Sequence, residues 1–257
     1  MCLVLFAYNV HPAYRLILAA NRDEFYDRPS APADFWPRHP QVLAGRDLKE
    51  KGTWLGVTRE GKFAAITNYR DPATLKDGAP SRGKLVSNYL TGVSGAGKYL
   101  KKISLLAQQY NGFNLLLGDA NDVFVYSNRG TAQKLPPGVY GLSNRLLDTP
   151  WPKVRRGKKM LEAALAEKGD ALEEALFTML ADRRVPPDSQ LPQTGVNLEW
   201  ERVLSPVFIE SPVYGTRAST ILLIARNSRV KLVEKTYHGR PEPWMTSRFS
   251  FLMEKEK

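Results

Sequence analysis

Two consecutive apolar segments near the start of the chain constrain its fold more than any other feature. Residues 2–9 and 14–20 are apolar at nearly every position, and the short sequence Val-His-Pro-Ala at 10–13 separates them. Two such runs around a short turn predict a β-hairpin. Because polar residues do not alternate within the runs, both faces of the hairpin should be buried, which predicts a sheet lying between two other layers.

The rest of the chain contains further strand pairs, with helices grouped between them. Predicted strands cover 54–57, 63–68, 113–117, 123–126, 139–142, 220–225 and 230–237, and predicted helices cover 81–89, 98–110, 152–167 and 171–181. We interpret the proline-rich stretch after residue 24, to about Pro40, as a long ordered loop. No repeat or composition break divides residues 1–257, so we expect one α+β domain with largely antiparallel sheets and outer helices.

The chain is basic, with 37 Lys and Arg against 26 Asp and Glu and a formal net charge of +11. A basic surface suits several kinds of anionic partner, but the charges are dispersed and no nucleic-acid-binding motif is present. The one dense run, Lys-Val-Arg-Arg-Gly-Lys-Lys at 153–159 on a predicted helix, is interpreted as a solvated helix face. We therefore expect a small anionic partner with an apolar part, and no nucleic acid.

A single cysteine and three widely spaced histidines limit the remaining classes of protein. One cysteine cannot form an intramolecular disulfide, which fits a reducing compartment, and no metal-ligand cluster is visible. No apolar run approaches the ~20 residues of a membrane-spanning helix, and the N-terminus lacks the features of a signal peptide. These features predict a cytoplasmic protein without a metal, a cofactor or a membrane span, and they leave the oligomeric state open.

Cys2 is the most informative position for chemistry. If Met1 is removed, which a small side chain at position 2 permits, Cys2 becomes the N-terminal residue. Its α-amine, with a reference pKa of ~7.7–8.0, can then act as the base that activates the thiol, and no histidine is needed. The alternative is that Cys2 is a small apolar residue packed in a strand, as most free cysteines are.

A polar tetrad, Asn-Arg-Asp-Glu at 21–24, directly follows the second apolar run. The hairpin should return the end of the second strand to the start of the first, which places this tetrad beside Cys2. There the carboxylate of Asp23 would hold or orient the amine, and the guanidinium of Arg22 would bind an anionic substrate group. The alternative is a salt-bridged turn in which Asn21 is a local cap.

Several short motifs resemble one family over essentially the whole chain. They are the initial Met-Cys-Leu, the tetrad at 21–24, Thr-Asn-Tyr-Arg at 67–70, Pro-Ser-Arg-Gly at 80–83, Gly-Leu-Ser-Asn at 141–144 and Tyr-Gly-Thr-Arg-Ala-Ser-Thr at 214–220. In this order they resemble the NRDE family, also called the transport and Golgi organisation protein 2 family. The resemblance implies an N-terminal-nucleophile (Ntn) hydrolase-like fold, a four-layer αββα sandwich, and a link to lipid, acyl-coenzyme A or haem handling.

A more distant similarity connects these positions to the cysteine Ntn amidases of the choloylglycine hydrolase and penicillin V acylase group. It implies that Cys2 attacks a linear amide, that Asp23 contacts the nucleophile, and that Asn68 and Asn144 bind the oxyanion or the amine. Those amidases carry an arginine three residues before the aspartate, whereas this chain has Ala20. Arg22 or Arg217 is the candidate replacement for that missing cation.

Two functions follow from these residues, and the sequence leaves both open. The first is an Ntn cysteine hydrolase that cleaves a C–N amide or a thioester, with Cys2, Asp23, Asn68 and Asn144 as catalytic residues. Its substrate-binding residues would be Asn21, Arg22, Arg70 and Arg217, which lie in the motifs placed near the site. The second is a binding protein on the same scaffold that carries a hydrophobic anionic ligand such as an acyl-coenzyme A or haem.

Overall fold

A computed structural model describes residues 2–119, 122–240 and 242–254. Met1, whose removal would expose the amine of Cys2, lies outside the described residues. Within them, the strands form two antiparallel sheets that pack face to face, with helices on both outer surfaces. None of the helices in the described ranges is long and apolar enough to cross a bilayer.

Sheet A contains the two ends of the described chain. Its strands are Cys2–Tyr8 (β1), Tyr14–Phe25 (β2), Gly138–Leu142 (β10), Tyr214–Ala225 (β11), Arg229–Thr236 (β12) and Met245–Leu252 (β13). They are hydrogen-bonded in the order β10-β1-β2-β11-β12-β13, and all neighbours are antiparallel. The central position of β2 is what brings the N-terminal hairpin next to β11.

Sheet B contains the strands between β2 and β10. They are Ser30–Trp36 (β3), His39–Asp47 (β4), Leu55–Thr58 (β5), Phe63–Asn68 (β6), Phe113–Gly118 (β7), Val123–Ser127 (β8) and Gln133–Lys134 (β9). Each pairs antiparallel with the next, in sequence order. Sheet B is therefore a meander whose strand β6 ends at Asn68.

Helices cover the outer faces of the two sheets. They span Gly83–Thr91 (α1), Ala96–Leu106 (α2), Pro152–Ala164 (α3), Gly169–Leu180 (α4) and Leu198–Val203 (α5), and short 3₁₀ turns cover Pro72–Thr74, Ala107–Gln109 and Asp188–Gln190. Buried apolar residues of α1 and α2 pack on sheet B, and those of α3 and α4 pack on sheet A. The four layers confirm the predicted αββα arrangement.

The N-terminal hairpin confirms the burial predicted from its apolar runs. Leu3 and Leu5 pack in the cluster that faces α3 and α4, whereas Val4 and Phe6 pack between the two sheets. All four side chains are 2% exposed or less. Because successive side chains of a strand point to opposite faces, a strand covered on both sides is apolar at each position where no buried polar partner is available.

The structure corrects the predicted loop after the tetrad. Strand β2 continues through the tetrad to Phe25, and the proline-rich stretch forms strands β3 and β4. Strand β3 lies at the edge of sheet B, and its pairing with β4 is interrupted between Ala31 and Asp34. An edge strand with such an irregularity tolerates Pro32, because the missing N–H removes no ladder hydrogen bond.

The basic run at 153–159 is the second correction. Lys153 is only 2% exposed, although we expected a solvated helix face. The reason lies one turn further along α3, where a Cβ atom on Gly157 would come within 2.5 Å of Leu5 Cδ1. The glycine lets α3 approach β1 closely, and Lys153 and Val154 in the first turn of the helix are buried with it.

Candidate functional site

Cys2 opens β1 and lies in the wall of a cavity of about 260 Å³. The hairpin register pairs Cys2 with Arg22, so the two residues share the face of sheet A that is turned toward sheet B. Asp23 and Asn68 also line this cavity. Three of the residues that we predicted for the site therefore meet with Cys2 at one end of the sandwich.

Arg22 forms part of the cavity wall between the two sheets. Its guanidinium carbon lies 4.3 Å from the centre of the Trp54 ring, in a cation–π contact. The residue is 6% exposed. Its Nη1 makes no hydrogen bond within the described part of the chain.

Asp23 alternates to the other face of β2, toward the layer that contains α3 and α4. The carboxylate oxygen Oδ1 accepts a hydrogen bond from Thr216 Oγ1 at 2.8 Å, and the backbone oxygen accepts one from Tyr214 Oη at 2.9 Å. The residue is 1% exposed. Two residues of β11 thus hold Asp23 at the point where β2 passes the start of β1.

Asn68 and Asn144 lie next to each other, but only Asn68 lines the cavity. Asn144 Nδ2 donates to the backbone oxygen of Asn68 at 2.8 Å, and the backbone nitrogen of Arg70 donates to Asn144 O at 2.7 Å. The preceding Ser143 contacts the backbone oxygen of Cys2 through its Oγ at 3.4 Å. Asn144 therefore connects the end of β6 to the chain beside Cys2, with its amide nitrogen turned toward Asn68.

Asn21, predicted as a substrate-binding residue, does not line the Cys2 cavity. Its Nδ2 donates to the backbone oxygens of Leu180 and Val207, both at 2.8 Å, and its Oδ1 accepts from Ser219 Oγ at 2.6 Å. The side chain is 1% exposed. With these three bonds, Asn21 ties β2 to the chain at the end of α4 and to β11.

Arg70 and Arg217, also predicted to bind substrate, have protein partners. The guanidinium of Arg70 donates from Nη1 to Glu201 Oε2 at 2.9 Å and lies 5.0 Å from the centre of the Trp151 ring. Arg70 does not line the Cys2 cavity. Arg217 donates from Nη1 to three backbone oxygens between residues 25 and 28, and it lines a neighbouring cavity.

Burial controls the ionisation of both Cys2 and Asp23. Burial raises the pKa of the Cys2 thiol, and the negative charge of Asp23 raises it further. The positive charge of Arg22 and a hydrogen bond from the Asp23 backbone act in the opposite direction. Burial also raises the pKa of the Asp23 carboxyl, against the positive charge of Lys153.

Lys153 is the site residue that the sequence did not reveal. Its Nζ donates to the backbone oxygen of Leu204 at 2.9 Å, and its charge interacts with those of Asp23 and Cys2. Burial lowers the pKa of Lys153 to about 8. That Arg22 or Arg217 replaces the cation absent at Ala20 stays a prediction, and Lys153 adds a further buried cation from α3. No signal within the run at 153–159 distinguishes it from its neighbours.

Arg82 is a further residue of the Cys2 cavity that we did not predict. Its Nη1 donates to the backbone oxygen of Gly112 at 3.0 Å, and its charge interacts with those of Glu24 and Cys2. The motif Pro-Ser-Arg-Gly at 80–83 was the available signal. Within the described ranges, no three His, Cys, Asp or Glu side chains are grouped as metal ligands.

The reactivity of Cys2 should depend on Lys153. We expect Lys153→Met to slow the alkylation of Cys2 at pH 7, because the thiolate loses a neighbouring positive charge. Iodoacetamide labelling followed by mass spectrometry measures the rate. The difference should shrink above pH 8, where Lys153 loses its proton. Lys153→Arg keeps the charge and should label like the unchanged protein, and equal rates for all three would contradict the prediction.

Comparison with known proteins places the chain in a family. The family model described as Transport and Golgi organisation 2 matches residues 1–239. The chain belongs to this family. A mouse member, the Transport and Golgi organization 2 homolog, is 38% identical over 276 residues, covering 99% of this chain and 100% of the mouse protein. The human homolog is 39% identical over 277 residues with the same coverage, and the Drosophila melanogaster protein is 29% identical over 93% of each chain.

Solved structures show that this family member has the fold of the Ntn hydrolases. The Caenorhabditis elegans ortholog of N-acylethanolamine-hydrolyzing acid amidase superposes with a TM-score of 0.52 at 11% identity, covering 86% of this chain and 92% of that one. A mutant conjugated bile acid hydrolase from Clostridium perfringens superposes with a TM-score of 0.53 at 9% identity, covering 100% and 94%. At these identities the likeness establishes the fold alone.

Proposed function

We propose that this protein is an Ntn cysteine hydrolase that cleaves a linear amide, or a thioester, of an anionic and partly apolar substrate. The observation that carries the proposal is that Cys2, Arg22, Asp23 and Asn68 line one cavity at the open end of the N-terminal hairpin. A thiol can act as the nucleophile of acyl transfer, a carboxylate can orient the amine that serves as its base, and an amide can stabilise the oxyanion. Arg22 adds a cation that suits an anionic substrate. The fold shared with Ntn hydrolases supports the same reading.

In the proposed reaction, removal of Met1 frees the α-amine of Cys2. Cys2 Sγ bonds to the substrate carbonyl carbon, and the thiol proton passes to the amine and then to the departing nitrogen or sulfur. The acyl group remains on Cys2 as a thioester. Water then attacks that thioester, its proton returns through the amine, and the acid leaves with the thiol restored. Each half-reaction ends with the amine in its starting state.

The neighbouring residues receive separate roles in this proposal. Asp23 orients the amine, since it is held by Thr216 where β2 passes the start of β1. Asn68 supplies the oxyanion donor from the cavity wall, where one missing donor typically costs ~3–4 kcal/mol. Asn144 positions Asn68, because the side-chain amide nitrogen of Asn144 donates a hydrogen bond to the backbone oxygen of Asn68. Arg22 attracts the anionic end of the substrate.

The experiment is to incubate the purified protein with N-decanoylglycine and with decanoyl-coenzyme A, quench in acid, and measure intact mass and released acid. We expect a protein lacking Met1, a decanoyl adduct on Cys2, and release of decanoate. Cys2→Ala should form no adduct. A leucine inserted between Met1 and Cys2, which blocks removal of the methionine, should abolish turnover. Full activity with Met1 retained would refute the proposed mechanism.

A binding protein for a hydrophobic anionic ligand, such as an acyl-coenzyme A or haem, is the second candidate function. It is favoured by the raised pKa of the Cys2 thiol, which burial keeps protonated near neutral pH. In that case the same ligands would raise the melting temperature of the protein without being consumed. Melting measurements beside the mass experiment separate the two functions.

A further inference from the structure

A second cavity of about 380 Å³ adjoins the Cys2 cavity. The two share Arg22, Arg28 and Trp54 in their walls. Arg22 and Trp54 are in ring contact with each other, so this stacked pair forms part of the partition between the cavities. The second cavity is further lined by parts of β11 and β12 and by the chain at the start of β3.

Two buried guanidinium groups of the second cavity each have a nitrogen that donates to no hydrogen-bond acceptor among the described residues. Arg22 and Arg217 are 6% and 9% exposed. Arg22 Nη1 and Arg217 Nε make no hydrogen bond within the described residues. A buried polar group without a partner costs free energy, and more so when it is charged. Both side chains therefore have the capacity to donate to an oxyanion that enters the cavity.

The two guanidinium groups are close enough to repel each other. Burial lowers the pKa of Arg217, and the positive charge of Arg22 is the next cause of that decrease. An anion between two such groups would replace the repulsion with two attractions. A guanidinium also matches the geometry of carboxylate and phosphate oxygens better than any other side chain does.

The two cavities differ in their charged groups. Among the described residues, the Cys2 cavity has three arginines and four carboxylates in its wall, whereas the second cavity has three arginines and the single carboxylate of Asp27. Arg28 is paired with Asp47 at 2.7 Å, which leaves Arg22 and Arg217 as the available cations. Part of the remaining wall is apolar, including Trp244, which is 61% exposed.

We propose that the second cavity binds an oxyanion group, a carboxylate or a phosphate, that is carried on an apolar chain. Arg22 and Arg217 donate to the oxyanion, and the apolar wall near Trp244 contacts the chain. Binding itself does not require Cys2 to be a nucleophile. The position of a substrate rests on the proposed function: in the proposed hydrolase, the anionic end of the substrate lies beyond Arg22, on the far side of the partition from Cys2.

The test is calorimetric titration of the Cys2→Ala protein with decanoate, decyl phosphate and decanol. We expect at least one of the two anions to bind at least about tenfold more tightly than decanol, because a charged hydrogen bond is lost with the alcohol. The two anions distinguish a carboxylate site from a phosphate site. Equal binding of all three compounds, or no binding of either anion, would overturn the proposal.

Arginine variants locate the bound anion. Arg22→Met and Arg217→Met should each lower the affinity for the anion by about tenfold to a hundredfold. Arg82→Met changes only the Cys2 cavity and should leave the affinity for the anion unchanged. The reverse pattern would place the anion beside Cys2 and refute the inference. If Arg217→Met does not fold, a crystal structure of Cys2→Ala with decyl phosphate decides the question, since the oxyanion must lie within hydrogen-bonding distance of Arg22 and Arg217.

These outcomes separate the two proposals. Anion binding without acyl transfer to Cys2 would support the anion site in the second cavity and refute the proposed hydrolase. An acyl adduct on Cys2 without any preference for anions would support the hydrolase and refute the anion site.

Discussion

An Asp23→Asn variant is expected to lose roughly 10²- to 10⁴-fold in kcat/KM, while its Cys2 thiol alkylates faster than that of the unchanged protein. Asparagine cannot orient a charged amine as a carboxylate does, so turnover falls. Burial is the main cause of the raised pKa of the Cys2 thiol, but the negative charge of Asp23 adds to it. Removing that charge lowers the thiol pKa and increases the thiolate fraction.

The two readouts must move in opposite directions. Because unfolding would also expose the buried Cys2 thiol and speed its alkylation, the comparison requires that Asp23→Asn keep a cooperative urea unfolding transition at the pH of the assay. Hydrolysis of decanoyl substrates gives the first, and iodoacetamide labelling at pH 7 gives the second. Glu24→Gln is the matched control. Glu24 also lines the cavity and follows Asp23 in β2, so its side chain points to the opposite face of the strand. It should change both rates far less. If turnover and alkylation fall together in Asp23→Asn, the assigned role of Asp23 is wrong.

The difference in unfolding free energy between Asp23→Asn and the unchanged protein should depend on pH. Burial raises the folded-state pKa of Asp23 above its ordinary value of 3.8, so the unfolded chain ionises first as the pH rises. The unfolded chain then binds fewer protons, and the unchanged protein loses stability over this interval. Asparagine does not titrate. Asp23→Asn should therefore gain stability relative to the unchanged protein as the pH rises above 3.8.

A Glu201→Ala variant is expected to lose about 3–5 kcal/mol of unfolding free energy, the usual cost of removing one partner of a buried ion pair. Arg70 and Glu201 have side chains that are 6% and 4% exposed, and they are joined at 2.9 Å. The same carboxylate accepts bonds from the backbone and the hydroxyl of Thr194. Urea denaturation measures the loss.

Two further variants separate charge from packing in this pair. The double variant Arg70→Met with Glu201→Leu removes both charges and should recover much of the lost stability, because paired hydrophobic replacements avoid the desolvation of ions. Asp188→Ala breaks the pair between Asp188 and Arg202, whose side chains are about half exposed. It should leave the urea midpoint nearly unchanged. A Glu201→Ala midpoint equal to that of Asp188→Ala would show that the buried pair is unimportant.

The sequence predicted the layers of the fold better than the extent of its strands. The N-terminal hairpin could be predicted because uninterrupted apolar residues specify burial on both faces. The prediction ended β2 at Ala20, since polar residues normally leave a core. The strand continues because Asn21 and Asp23 find partners on α4 and β11, which are 159 or more residues away along the chain. Local patterns contain no information about such partners.

The surroundings of Cys2 could also be predicted only in part, again because local patterns contain no information about distant partners. Cys2, Arg22 and Asp23 follow from hairpin geometry, which depends only on neighbouring sequence. Asn68 was placed through its motif. The environment of Lys153 depends on the close packing of α3 on β1 at Gly157, a tertiary contact that no periodicity indicates. Asn144 carries a family motif, yet which way its amide turns is decided by the backbone of β6.

The alternation of side chains along β2 limits how the length of this chain can change. Asn21 and Asp23 face the helices, while Arg22 faces the opposite sheet. One residue added in the turn at 10–13 leaves this division intact, because the turn lies outside both strands. One residue added between Ala20 and Asn21 exchanges the faces and directs the carboxylate toward Trp54. Libraries of variants that change chain length should therefore place insertions and deletions in the turn and keep the strand free of them.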